Sequence, residues 1–163
     1  MLTERLKEPL DSYIEKRNTM KDMLSTRSLA NIENIQKNIH ILNGYKTDMK
    51  NNKSEIMTLL NEIEECILSK ESAPIKLSEA KIAEYQDVKE KLGRFFKLDG
   101  YFIQGFDKTI KFMWERRGAY FVKEDRITFV RLNDWEYYRY MKHQMKEIAN
   151  RQNLVINSIY YSR

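Results

Sequence analysis

Between Trp114 and Lys142 the chain interleaves rings with cations. Trp114, Arg116, Arg117, Tyr120, Phe121, Lys123, Arg126, Phe129, Arg131, Trp135, Tyr137, Tyr138, Arg139, Tyr140 and Lys142 fall within 29 residues. Two kinds of recognition use such materials. Single-stranded DNA or RNA stacks its bases on rings, at about 1–3 kcal/mol per base, while cations meet its phosphates. A protein partner is anchored instead by exposed Tyr and Arg, which dominate interface energetics. The plain alternative is that a small domain must bury its rings, and Phe121, Phe129 and Trp135 suit that role. Glu115, Glu124 and Asp125 also dilute the positive field. The residues expected to touch a partner are Arg116, Arg117, Arg126, Arg131 and Arg139, with Tyr137 and Tyr140, because a guanidinium can stack on a neighbouring ring.

Charge follows the same division. Residues 1–93 carry 15 Lys/Arg against 16 Asp/Glu, whereas residues 94–163 carry 14 against 8, so the net charge of +5 belongs to the C-terminal half. Of the 19 aromatic residues, 14 lie between Phe95 and Tyr140.

Other chemistry is scarce. His40, His143 and Cys66 are far apart, and a structural zinc site wants four ligands, usually in close pairs. No metal or cofactor is expected. Gly93, Gly100, Gly105 and Gly118 never adopt the spacing of a phosphate-binding loop or a dinucleotide fingerprint. Glu124 and Asp125 read as a solvated turn. A Cys-His nucleophile pair would need a tertiary meeting that nothing in the chain predicts. The expectation is a protein that is not an enzyme and has no small-molecule substrate.

The element that must position this surface is a rod. From Ile32 to Ile67 apolar residues recur at alternating spacings of three and four. Set as heptads, Ile32, Ile39, Lys46, Lys53, Leu60 and Ile67 occupy a, while Ile35, Leu42, Met49, Ile56 and Ile63 occupy d. The nine apolar members form the expected assembly seam. Such a helix would span roughly 54 Å and needs something to lie against, either a second copy or its own first helix. The two lysines at a either mark a solvated stretch or restrict the seam to one partner. Asn43-Gly44 is the weak point. A competing reading breaks the rod there into helices of about 29–43 and 54–70, but the unchanged a/d register on both sides favours continuity. Cys66 falls at g, beside the seam, and His40 at b.

The remaining elements follow in order. Leu6, Leu10, Tyr13, Met20 and Leu24 trace a helical stripe interrupted by Arg17, starting near Pro9 and folding back on the rod after Ser25-Thr26-Arg27-Ser28, with Ser28 as the cap of the rod. Lys70 to Lys76, with Pro74, forms a hinge. Leu77, Ser78, Glu79 and Ile82 announce a helix through a staple and a cap, and Asp99-Gly100 should stop it. Tyr101 to Arg117 has an ambiguous period and is assigned to helix, with Gly118 as its left-handed cap. Tyr120-Phe121-Val122 and Ile127-Thr128-Phe129-Val130 read as a β-hairpin over about 119–132. Asn133 and Glu136 have capping-box spacing ahead of a C-terminal helix whose face, Tyr138, Met141, Met145, Ile148, Val155 and Ile159, is interrupted by Gln152.

The expected architecture is mainly α. A helical hairpin or coiled-coil-like arm covers 1–70, with the long helix at about 29–70; 71–77 is a hinge; a basic, aromatic-rich domain with one β-hairpin covers 78–163. No apolar run approaches the length needed to cross a bilayer, and Met1 to Glu8 lacks the core of a signal peptide. The single cysteine fits a reducing compartment. A cytoplasmic or intravirion location follows as an expectation. The functional expectation is a structural or adaptor protein, a component of a viral or other large assembly, associating through its arm and docking through its C-terminal domain. The alternative is an accessory protein for single-stranded DNA or RNA, oligomerised by the arm.

Overall fold

In the computed structural model, which describes residues 2–68 and 79–161, the heptad stretch is one uninterrupted helix, Ile32–Leu68 (α3). Before it come α1 (Leu2–Thr19), a 3-10 turn (Met20–Leu24) and the single-turn α2 (Thr26–Leu29). After it come α4 (Glu79–Glu115), strands β1 (Tyr120–Lys123) and β2 (Arg126–Phe129), and α5 (Leu132–Tyr160). The chain is thus mainly helical, with a long helix paired to the N-terminal one, a two-stranded hairpin and a C-terminal helix.

Cross-links between the helices fix their directions. Lys46 meets Asp107 and Lys89 meets Glu64, so α3 and α4 run antiparallel. Asp99 meets Gln152 and Arg116 meets Asp134, which makes α5 antiparallel to α4. Tyr160 donates to Asp11 at 2.5 Å, closing α5 onto α1. The four long helices therefore alternate in direction around a shared interior. Buried residues from α1 to α5 form one hydrophobic cluster.

Every d residue of α3 is buried: Ile35, Leu42, Met49, Ile56 and Ile63. The a row is a flank. Leu60 is buried, Ile39 and Ile67 are partly so, and Ile32 is 48% exposed. Lys46 reaches out of this flank to Asp107 at 2.6 Å. Burial would raise the Asp107 carboxyl, but the hydrogen bonds from Lys111 and Lys46 together with the charges of both lysines outweigh it and hold the group below its ordinary range. Lys53 lies over the Phe96 ring at 5.5 Å. Gly44 sits on the outer side, where a Cβ would meet nothing within 4 Å. Since glycine costs a helix interior about 1 kcal/mol relative to alanine, Gly44→Ala is expected to raise stability by roughly that amount, read as a higher urea midpoint at unchanged slope.

Several boundaries differ from expectation. Pro9 lies inside α1 rather than in its first turn, and buried Leu6 and Leu10 bracket the one backbone hydrogen bond it cannot make. Ser28 does not cap the rod. Ser25 accepts the Ser28 N–H at 3.2 Å and starts α2, while Asn31 Oδ1 takes the Glu33 N–H at 2.8 Å at the head of α3. Asn133 is likewise helical, because β2 runs almost directly into α5 and Arg131 occupies the N-cap position.

The largest correction is at Asp99-Gly100, where no helix ends. Glu79–Glu115 is continuous, and the ambiguous period after Tyr101 resolves as helix, with Phe102, Phe106, Ile110 and Met113 buried. Asp99 ordinarily favours helix ends because its carboxylate competes for nearby backbone N–H groups. Here that carboxylate is engaged by side chains of two other helices. Gly118, with φ +83°, supplies the left-handed residue after α4. The expected hinge at 71–77, with the staple and cap at Leu77 and Ser78, lies outside the described residues.

Candidate functional site

The hairpin turns through Glu124 and Asp125, both with positive φ (51° and 56°), a two-residue connection that suits the twist of the strands. The register pairs Tyr120 with Phe129, Phe121 with Thr128, Val122 with Ile127 and Lys123 with Arg126. One face of this ribbon goes inward. Ile127 and Phe129 are buried, and Phe129 packs against Phe112 of α4 at 6.0 Å and Tyr138 of α5 at 5.4 Å. The Tyr120 hydroxyl donates to the Leu29 carbonyl at 2.7 Å, tying β1 to the α2 turn. Burial pushes the Tyr120 and Tyr138 phenols up to about 12.

Between β2 and the outer side of α5 runs a groove of about 990 Å³. Its floor and walls are apolar, from Ile127, Phe129, Val130, Leu132, Trp135 and Tyr138. Arg126, Arg139, Lys142, His143 and Lys146 line it as well, and among the described residues Asp125 is its only acidic member. Three exposed apolar groups lie together here: Val130 is 72% exposed, Leu132 68% and Trp135 38%. Residues 132, 135, 139, 142 and 146 share one stripe of α5 by spacing alone.

The residues expected to touch a partner are divided among several places. Arg126 and Arg139 line the groove and are exposed. Arg131 is exposed at the head of α5. Arg126, Arg131 and Arg139 make no ion pair among the described residues. Arg116 instead pairs with Asp134 at 2.9 Å and lies over the Phe112 ring, and Tyr137 packs edge-on against that same ring at 5.0 Å. Arg117 folds back over Trp114 at 4.3 Å and donates to the Trp114 carbonyl. Tyr140 is exposed and lies outside the groove. Of the three rings assigned to the core, Phe129 is buried, whereas Phe121 and Trp135 face outward. Sequence reasoning missed Val130, Leu132, His143 and Lys146 as groove residues. Helical spacing from Trp135 would have found the last two.

A second constellation is buried at the heart of the bundle. Tyr13 donates to Asp99 Oδ2, Arg17 Nη2 donates to Gln152 Oε1, and Gln152 Nε2 donates to Asp99 Oδ1 at 2.7 Å. Arg17 Nε stands 3.0 Å from Asp99 Oδ1 as an ion pair, but off the line of a hydrogen bond. The guanidinium also lies 4.4 Å over the Phe102 ring. Arg17 is 2% exposed and Asp99 1%. Burial pulls the guanidinium below its ordinary range, opposed by the charge of Asp99. Burial first, then the Asp99 charge, pushes the Tyr13 phenol well up. The two interruptions of the apolar stripes, Arg17 and Gln152, thus meet each other directly and also share Asp99. The network joins three helices, α1, α4 and α5, at one buried carboxylate.

His40 and Cys66 are exposed on α3, far along the chain from His143. Among the described residues no group of three or more His, Cys, Asp or Glu is placed to hold a metal ion, and no helix is long and apolar enough to cross a membrane. No protein-family model, curated protein or solved structure matches this chain.

Proposed function

We propose that this protein is a non-catalytic adaptor of a larger assembly, whose helical bundle presents the hairpin and the first half of α5 to a protein partner. One observation carries the reading: exposed Val130, Leu132 and Trp135 lie in a groove shared with Arg126, Arg139, Lys142 and Lys146. Exposed apolar patches rimmed by charge mark interaction sites, and Trp and Arg are the residues that most often dominate them. The arm contributes rigidity more than contact surface. Its d row is covered by the chain itself, and among the described residues Ile32 is the one exposed large apolar side chain of α3.

Binding of single-stranded nucleic acid is the second reading, favoured by the exposed rings of Trp135 and Tyr140 beside cations. The ion pair of Arg116 with Asp134 neutralises one of the cations this reading would use. Affinity capture from the native source, comparing the wild-type chain with Arg126→Glu/Arg139→Glu/Lys142→Glu, tests the choice. The adaptor reading expects one defined protein to be retained after nuclease treatment and lost in the variant, while the melting temperature stays within a few degrees, because exposed substitutions cost under about 0.5 kcal/mol each. Retention that vanishes with nuclease, or oligonucleotide affinity falling steeply with salt, would instead establish the second reading.

A further inference from the structure

The backbone of β2 has an unused side, and it faces the groove. A two-residue turn is closed by a hydrogen-bonded pair, here Lys123 and Arg126, and pairs then alternate along an antiparallel ladder. Val122 with Ile127 and Tyr120 with Phe129 are accordingly the non-bonded pairs, and Phe121 with Thr128 is bonded. The N–H of Val130 donating to the Ala119 carbonyl at 2.9 Å continues this alternation. It follows that Ile127 and Phe129 turn their N–H and C=O groups away from β1. The sheet has only two strands, and no backbone hydrogen bond to Ile127 or Phe129 from elsewhere is found among the described residues. All of β2 lines the groove while no β1 residue does, which places the groove on that open side.

Resting on the adaptor reading above, we propose that the groove takes an acidic peptide segment of the partner in extended conformation, added alongside β2 as a third strand of the hairpin. Two N–H and two C=O groups of Ile127 and Phe129 would hold its main chain, the mode by which exposed sheet edges capture peptides. Dimensions agree. Four residues of strand span roughly 13 Å, and the facing stretch of α5 from Trp135 to Lys146 spans roughly 16 Å. Alternate side chains of the added strand would rest on the apolar floor around Phe129, Leu132 and Trp135. Charge decides the composition, since Arg126, Arg139, Lys142 and Lys146, with His143 beside them, are opposed in the groove by Asp125 alone among the described residues. An acidic segment gains from this field and a basic one is repelled. Nucleic acid would use the same cations, but it does not present the regular main-chain repeat of N–H and C=O groups that pairs along a strand edge such as that of Ile127 and Phe129.

The test uses the full chain and a fluorescent eight-residue probe of alternating Glu and Val, followed by anisotropy. It is run beside a Lys-Val probe of the same length, an oligothymidylate, and two forms of the Glu-Val probe N-methylated at every Val or at every Glu. In a strand, alternate residues direct their N–H groups to opposite sides, so one methylated form should lose at least about tenfold in affinity and the other should not. Arg139→Glu/Lys142→Glu, with melting temperature unchanged, should weaken the Glu-Val probe by more than tenfold, and the Lys-Val probe should fail to bind the wild type. Equal loss with both methylated forms would overturn strand addition and leave the adaptor reading standing. Preference for oligothymidylate would overturn both, and absence of Glu-Val binding at millimolar probe would overturn the acidic-peptide assignment.

Discussion

Replacing Asp99 by Ala is expected to lower stability by about 3–5 kcal/mol, because Arg17 would be left as a buried charge without its carboxylate. That is a large share of the roughly 5–15 kcal/mol by which a domain is stable. Tyr13 and Gln152 would lose their acceptor in the same step. The joint change Arg17→Met/Asp99→Leu should cost much less than the two single changes added together, since an apolar core tolerates well-packed replacements of an ion pair. Urea unfolding of the wild type, both single variants and the double variant measures the coupling directly. A loss under about 1 kcal/mol for Asp99→Ala would mean that water reaches the network and the pair is solvated.

Ile56→Asp should have an effect at least as large. Removing the buried part of an isoleucine costs about 2–5 kcal/mol, and the substituted carboxylate would also be desolvated inside the bundle. Ile56 is 1% exposed at the middle of the d row. The expected result is loss of the cooperative helical signal by circular dichroism, and the same change at Ile63 should act similarly. Light scattering on the wild type and variant separates two roles for the seam, because a seam used only between copies would dissociate while keeping its helices. Unchanged dichroism together with unchanged mass would refute burial of this row.

The d row was legible because a period of three and four records burial on one face, and a helix of 37 residues repeats that record often enough to survive Gly44. The hairpin was legible for a similar reason, with two β-rich runs flanking a polar turn. The polar network was not. Arg17, Asp99 and Gln152 each looked like a local defect, two lapses in apolar stripes and one stop signal, and no local pattern says that three defects from three helices cancel one another. The same limit applies to the groove. Interleaved rings and cations marked the region, but which ones turn inward depended on how the hairpin lies on α5. Arg116 is spent on Asp134, whereas Lys146, beyond the dense stretch, faces the opening.

Helices with smooth apolar faces can slide. A shift of α1 by one turn, roughly 5.4 Å, would exchange one leucine or methionine contact for another at little cost. It would also carry Arg17 past Asp99 and Gln152, stranding a guanidinium and a carboxylate in apolar surroundings. The same shift would pull Asp11 from Tyr160 and Thr19 from Tyr45. The central carboxylate therefore works as an alignment mark. Among the many ways four amphipathic helices could be stacked, it singles out one vertical position for α1, and with it the height at which the α2 turn comes under Tyr120 and the hairpin.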